Sequence, residues 1–221
     1  MNIVKKYNYK PMTRQEENGL RKYNTPDGKR LVSVTTILSK TQDMTHLLEW
    51  RANVGEKEST RITTEASGLG SGMHNNIENY ILDKPMSGSF MAKTLANLII
   101  KKGLSKVSEV WGTEISLYST ELYAGTTDLI GLHDGIPSIM DYKNSLKEKK
   151  KEWIEGYFMQ LCAYALSHNE MFGTDIHRGV IMIATREAKY QEFIIEGAEF
   201  THYETLWANK VCDYYKRFYI S

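Results

Sequence analysis

The spacing of apolar residues changes period about halfway along the chain. Between positions 34 and 101 they recur at helical intervals: Ile37 and Leu38, then Leu47, Leu48, Trp50 and Val54, then Met73, Ile77, Tyr80 and Ile81. Side chains three or four apart share one face of a helix, so this spacing predicts helices over 34–55, 73–82 and 90–101. The run Ser67-Gly68-Leu69-Gly70-Ser71-Gly72 predicts a loop leading into the second of these. From Val107 onward the period shortens towards two, which predicts strands over 107–119, 122–133 and 136–143. An amphipathic helix over 153–166, strands over 180–184 and 192–195, and a terminal helix over 199–219 complete the pattern. Near the start, Pro26-Asp27-Gly28 has the chemistry of a hairpin turn. From residue 67 the order is helix, helix, three strands, helix, two strands, helix, which describes an α/β sandwich around a mixed sheet. The expected division is 1–66, a hairpin and helical extension, and 67–221, the sheet-bearing core with its C-terminal helix.

Composition narrows the function classes. With 221 residues and 41% apolar content the chain can bury a substantial core. The net charge of +1 gives no global field, so a polyanion would be held by local patches such as Lys147, Lys149, Lys150 and Lys151, Arg51, or Lys101-Lys102. Cys162 and Cys212 are too few for a disulfide framework or a four-cysteine cluster and suit a reducing cytoplasm. The start Met-Asn-Ile-Val-Lys-Lys-Tyr has no apolar stretch of signal-peptide type, and no run approaches the ~20 apolar residues of a membrane span. The expectation is a cytoplasmic protein with no membrane partner. Phosphate loops, dinucleotide fingerprints, H-E-x-x-H and nucleophile elbows are missing, so no nucleotide cofactor is expected.

The residues with chemistry to offer gather around Asp141-Tyr142-Lys143, which ends the apolar run 136–140. Residues two apart on a strand project to one face, so Asp141 and Lys143 fall side by side. Asp128 lies one hairpin upstream on the neighbouring strand. Two carboxylates so placed can share hard cations, which take oxygen ligands and retain water; the alternative is that Asp128 caps a turn and Asp141 pairs with Lys143 or an arginine. His74 and Glu78 share a helical face, and the histidine is a candidate ligand. Glu114, between Trp111 and Ile115, is expected to be buried against a metal or its water, or else to lie on the sheet's wet face. Gln160 and Tyr164, four apart on the helix that follows Asp141, are candidate donors to phosphate or base edges.

Taken together, these segments resemble the PD-(D/E)XK nuclease superfamily, in particular its RecB-like exonuclease branch and the mitochondrial genome maintenance exonuclease type with its phage relatives. The resemblance runs from about Ser33 to Leu166. It is carried by Ser33-Val34-Thr35-Thr36-Ile37-Leu38, Trp50-Arg51 with Val54-Gly55, Gly72-Met73-His74 with Glu78, Ala124 to Ile130, Asp141-Tyr142-Lys143, and Gln160 with Tyr164. It implies a restriction-endonuclease-like core with a central mixed sheet flanked by helices and a helical N-terminal extension. It also implies Asp128, Asp141, Lys143 and Glu114 as catalytic residues, and one or two Mg²⁺ or Mn²⁺ ions on His74, Asp128, Asp141 and the Tyr142 carbonyl. Gln160, Tyr164 and Arg51 would bind substrate, and the segment from Val34 to about Arg61 would gate it. The implied activity is exonucleolytic hydrolysis of DNA, single-stranded with a free end, in replication, repair or phage DNA processing. An endonuclease on the same fold and a non-catalytic DNA-binding accessory protein are the alternatives. The chain lacks the cysteines with which some relatives hold an iron–sulfur cluster, so none is expected.

Overall fold

The structure, a computed structural model, describes residues 1–17 and 19–219. Two sheets organise it. The larger has six strands: β1 (Asn2–Ile3), β5 (Val107–Tyr118), β6 (Ala124–His133), β7 (Ile136–Ser145), β8 (Arg178–Thr185) and β9 (Tyr190–Glu196), neighbouring one another in that order. β5, β6 and β7 form an antiparallel meander, β8 lies parallel to β7, and β9 returns antiparallel. The parallel step requires a crossover, which helix α5 (Glu155–Phe172) supplies. The smaller sheet joins β2 (Thr13–Glu17), β3 (Leu20–Asn24) and β4 (Arg30–Val32) antiparallel, with the turn at Pro26-Asp27-Gly28 between β3 and β4 as expected.

Strand alternation sorts the core into two layers. Leu129, Met140, Tyr142, Val180 and Met182 face α3 (Glu56–Ile81) and α4 (Phe90–Lys102). Ile130, Ile139, Ile181 and Ile183 face α5, α1 (Val34–Thr41) and the terminal helix α6 (Gly197–Tyr219). This is a mixed sheet flanked by helices on both faces. Local chemistry fixes the boundaries: Ser33 and Ser89 cap α1 and α4 by accepting from the N–H groups of Thr36 and Ala92, and Gly173 closes α5 in the left-handed region at φ 62°. No helix among the described residues is long and apolar enough to cross a membrane.

Two expectations change. The helical stretch 34–55 is two helices, α1 and α2 (Thr45–Val54); α1 buries Val34 and Ile37 in the main core, whereas α2 buries nothing. The glycine-rich segment 67–72 is not a loop but the middle of the 26-residue α3, so the expected boundary at 66/67 falls inside a continuous helix. The reason is packing. A Cβ on Gly72 would lie 3.0 Å from Ala92 Cβ, and one on Gly70 would lie 3.1 Å from Asn144 Oδ1. These glycines let α3 approach α4 and β7 closely, and that contact outweighs their poor helix propensity.

The large sheet also forks. Pairing of β6 with β7 runs from His133↔Ile136 to Leu129↔Met140 and stops there. Pairing of β5 with β6 continues to Tyr118↔Ala124, and that of β7 with β8 continues to Ser145↔Thr185. β6 and β7 therefore stay in the sheet by their outer partners while parting from each other.

Candidate active site

Asp128 and Asp141 are the first residues beyond the last paired rung of β6 and β7. Freed from the ladder, the Tyr142 N–H donates instead to Asp128 Oδ2 at 2.7 Å. Asp141 is buried, and its Oδ2 makes no aligned hydrogen bond; it faces Lys143 Nζ at 2.5 Å. Lys143 Nζ also donates to Gln160 Oε1 at 3.5 Å, and Gln160 Nε2 donates to Tyr164 Oη at 3.1 Å. The four-residue spacing on α5 thus continues a polar chain from the strand into the helix. Tyr164 can sit there because its ring lies against Gly125 on β6, where a Cβ would come within 2.6 Å of it.

From the opposite side α3 brings His74. Its Nε2 bonds the Tyr142 carbonyl at 2.9 Å, and its Nδ1 stands 3.4 Å from Asp128 Oδ1 and 3.8 Å from Glu114 Oε1. A histidine whose outer nitrogen is tied to a carbonyl has its other nitrogen oriented for a ligand. His74, Glu114 and Asp128 each present a ligand atom within 4.8 Å of the others, a His–carboxylate set that suits a divalent cation. The Tyr142 carbonyl, expected as a ligand, here faces His74 Nε2. Asp141, also expected as a ligand, stands beside this trio and turns to Lys143.

Of the two settings expected for Glu114, the buried one does not hold. It is not buried, its side chain being 36% exposed, and its backbone lies at φ 52°. Pairing resumes on either side of it, at Thr113↔Leu129 and Ile115↔Thr127, so Glu114 stands opposite Asp128. A left-handed non-glycine residue inside a strand is strained by about 1 kcal/mol or more and persists where the surroundings enforce it. Here it aims a carboxylate at His74.

The electrostatics follow from crowding. Burial pushes the Asp141 carboxyl up, Lys143 offsets only part of that, and the result is a group raised to about 6. Burial acts in the same direction on Asp128, but His74, Lys143 and the Tyr142 N–H outweigh it and hold Asp128 below the usual carboxylate range. Burial disfavours charge on His74, yet Asp128 and Glu114 raise it to about 10. Lys143 is likewise raised despite burial, by Asp141 and then Asp128. Glu78, one turn beyond His74, is raised by partial burial and by Glu114.

These groups line a cavity of about 240 Å³. Arg14, Arg21 and Tyr23 from the small sheet, which were not among the candidate site residues, complete its wall together with Ser33 and Thr35 from the segment that opens α1. An adjoining groove of about 450 Å³ shares Arg14, His74 and Glu114 and reaches Glu78. Arg51 lies exposed on α2 and is not part of either wall. Of the lysine run, Lys151 is committed to Glu199 at 2.6 Å and Lys150 stands over the Trp153 ring.

No family model matches the chain, and no curated protein matches it. Solved structures do. One is a protein from Eubacterium rectale provisionally named an exonuclease, with 16% identity and a TM-score of 0.49, covering 69% of this chain; the chain spans 65% of that protein's length, just under two thirds. Another, named SSO0001, shares 14% identity at a TM-score of 0.42, with 81% of this chain and 74% of that one covered. At TM-scores below 0.5 these are partial likenesses, and a functional reading rests on the site itself.

Proposed function

We propose that the chain is a metal-dependent deoxyribonuclease of the PD-(D/E)XK kind that hydrolyses phosphodiester bonds from the ends of DNA, with a preference for single strands. The observation that supports this best is the fork in the sheet, which gathers Asp128, Asp141, Lys143, His74 and Glu114 with Gln160 and Tyr164 around one cavity. The donor set fits the metal: hard oxygen ligands and one oriented imidazole, beside a buried Asp141 oxygen without an aligned hydrogen bond. His74, Glu114 and Asp128 would hold the ion, with Asp141 adjacent to it. A bound Mg²⁺ or Mn²⁺ supplies a water of lowered pKa and polarises the scissile phosphate.

The protein's own groups do the rest. Asp141 and Gln160 fix the Lys143 ammonium in the cavity wall, where it orients the attacking water and stabilises charge growing on the phosphoryl oxygens. Such an ammonium is fixed before the reaction begins, which is the source of its effect. Gln160 and Tyr164 form the floor on which the terminal nucleotide rests. The first 66 residues contribute the wall opposite, through the small sheet and the start of α1.

The test uses end-labelled linear single strands, matched duplex and circular single strands, each with Mg²⁺, Mn²⁺ or EDTA. Loss of linear strands with metal, sparing circles, is the expected result. Cut circles would make the enzyme an endonuclease, and no cleavage with either metal would leave a binding protein.

A further inference from the structure

We propose that Arg14 and Arg21 form a two-point clamp on the backbone phosphates flanking the scissile bond, a role that rests on the nuclease reading above. β2 and β3 pair with Arg14 opposite Tyr23 and Gln15 opposite Lys22. Arg14, Arg21 and Tyr23 therefore share one face of the small sheet, and all three line the cavity. Lys22 and Arg30 are the contrasting cations of the same sheet. Both are committed to Glu17, at 4.0 Å and 2.9 Å, and neither lines the cavity. Arg14 and Arg21 have no ion-pair partner among the described residues, although Glu114, Asp128 and Asp141 line the same cavity.

Two unpaired guanidinium groups and three carboxylates around one space leave room for an anion between the cations and the metal-binding acids. Arginine's planar fork suits phosphate oxygens. The clamp is held in place by the Tyr23 hydroxyl, bonded to Thr126 Oγ1 on β6 at 3.2 Å, and by the Arg21 N–H, which donates to Thr36 on α1 at 3.2 Å. Arg14 lines both the cavity and the adjoining groove, so the strand's path runs past it from one to the other.

The experiment measures equilibrium binding of a fluorescent single-stranded oligodeoxynucleotide in EDTA, where no turnover occurs, across a salt series. Each phosphate contact on a single strand contributes about 0.7 to the slope of log affinity against log salt, so R14Q/R21Q should lower that slope by roughly 1.4. R14K/R21K should retain it, and K22Q/R30Q on the opposite face should leave it unchanged. An unaltered slope in a folded R14Q/R21Q protein, checked by circular dichroism and thermal midpoint, would overturn the clamp, as would an equal fall in K22Q/R30Q. Failure of the wild type to bind the strand would also overturn it. The nuclease reading fails separately: binding with the expected slope change but no metal-dependent cleavage removes the chemistry and leaves the clamp.

Discussion

The large sheet carries a histidine-containing charge cluster at each end of the β6–β7 ladder, and the two are built oppositely. At the closed end His133 has no exposed side-chain surface and stands 3.4 Å from Glu192, which Lys106 and Tyr190 also bind at 2.6 and 2.7 Å. Arg178 donates to the His133 carbonyl at 2.9 Å and pairs with Glu196 at 3.0 Å. There Glu192 has Lys106 and Glu196 has Arg178, and the β6–β7 ladder stays paired down to His133↔Ile136. At the forked end Glu114, Asp128 and Asp141 converge with His74 and Lys143 on a cavity whose wall also carries Arg14 and Arg21. Buried charge alone therefore does not mark a site. Carboxylates crowded together at the edge of an open cavity do, because such crowding is tolerated where a cation can join them.

The contrast can be broken by substitution. Asp141→Asn or Lys143→Ala should lower cleavage by about a thousandfold or more with the fold intact, since each removes a group fixed in the cavity before reaction; single-turnover assays with circular dichroism decide, and retained cleavage would make the forked end merely structural. Glu192→Gln at the closed end should do the reverse: cleavage unchanged, stability reduced by about 2–3 kcal/mol at neutral pH. Burial works to raise Glu192, but His133, Lys106 and Tyr190 outweigh it and lower it to about 2. Its stabilisation is therefore fully present above the ordinary glutamate range near pH 4.5 and is lost as pH falls towards 2. Denaturant unfolding of wild type and variant should run parallel between pH 6 and 8 and converge below about pH 4.5. The smallest effect is expected at Tyr142→Phe. Its hydroxyl is buried in the α3–α4 layer with no hydrogen-bond partner among the described residues, so removal should leave stability unchanged or raise it by about 1 kcal/mol. A clear loss in thermal midpoint would show that the hydroxyl has a partner.

Much of this was legible in the chain. The meander and the Asp-x-Lys pair follow from strand-length apolar runs bounded by turn residues, and the crossover from the helical spacing between two of them. Gln160 and Tyr164 were placed by helical spacing alone. β2 was not legible, because Thr13-Arg14-Gln15-Glu16-Glu17 is exposed throughout and carries no alternation to read. Arg14 lies on that strand and Arg21 on its neighbour β3, and their meaning lies in the cavity they both line, which is a tertiary fact. The fork and the left-handed Glu114 were equally hidden, since both depend on where pairing stops rather than on residue type.

The glycines of α3 have a consequence for motion. Three of them within five positions weaken the middle of a rod that is roughly 39 Å long. The turns beyond them, with Met73, Ile77 and Ile81 in the core, are anchored; the turns before them bury only Ser59. Amide hydrogen exchange should therefore divide α3 at Gly68–Gly72, fast on the Glu56 side and slow from Met73 onward. His74 lies just inside the slow half, so the first half of the helix can open and close without moving the imidazole from its acids.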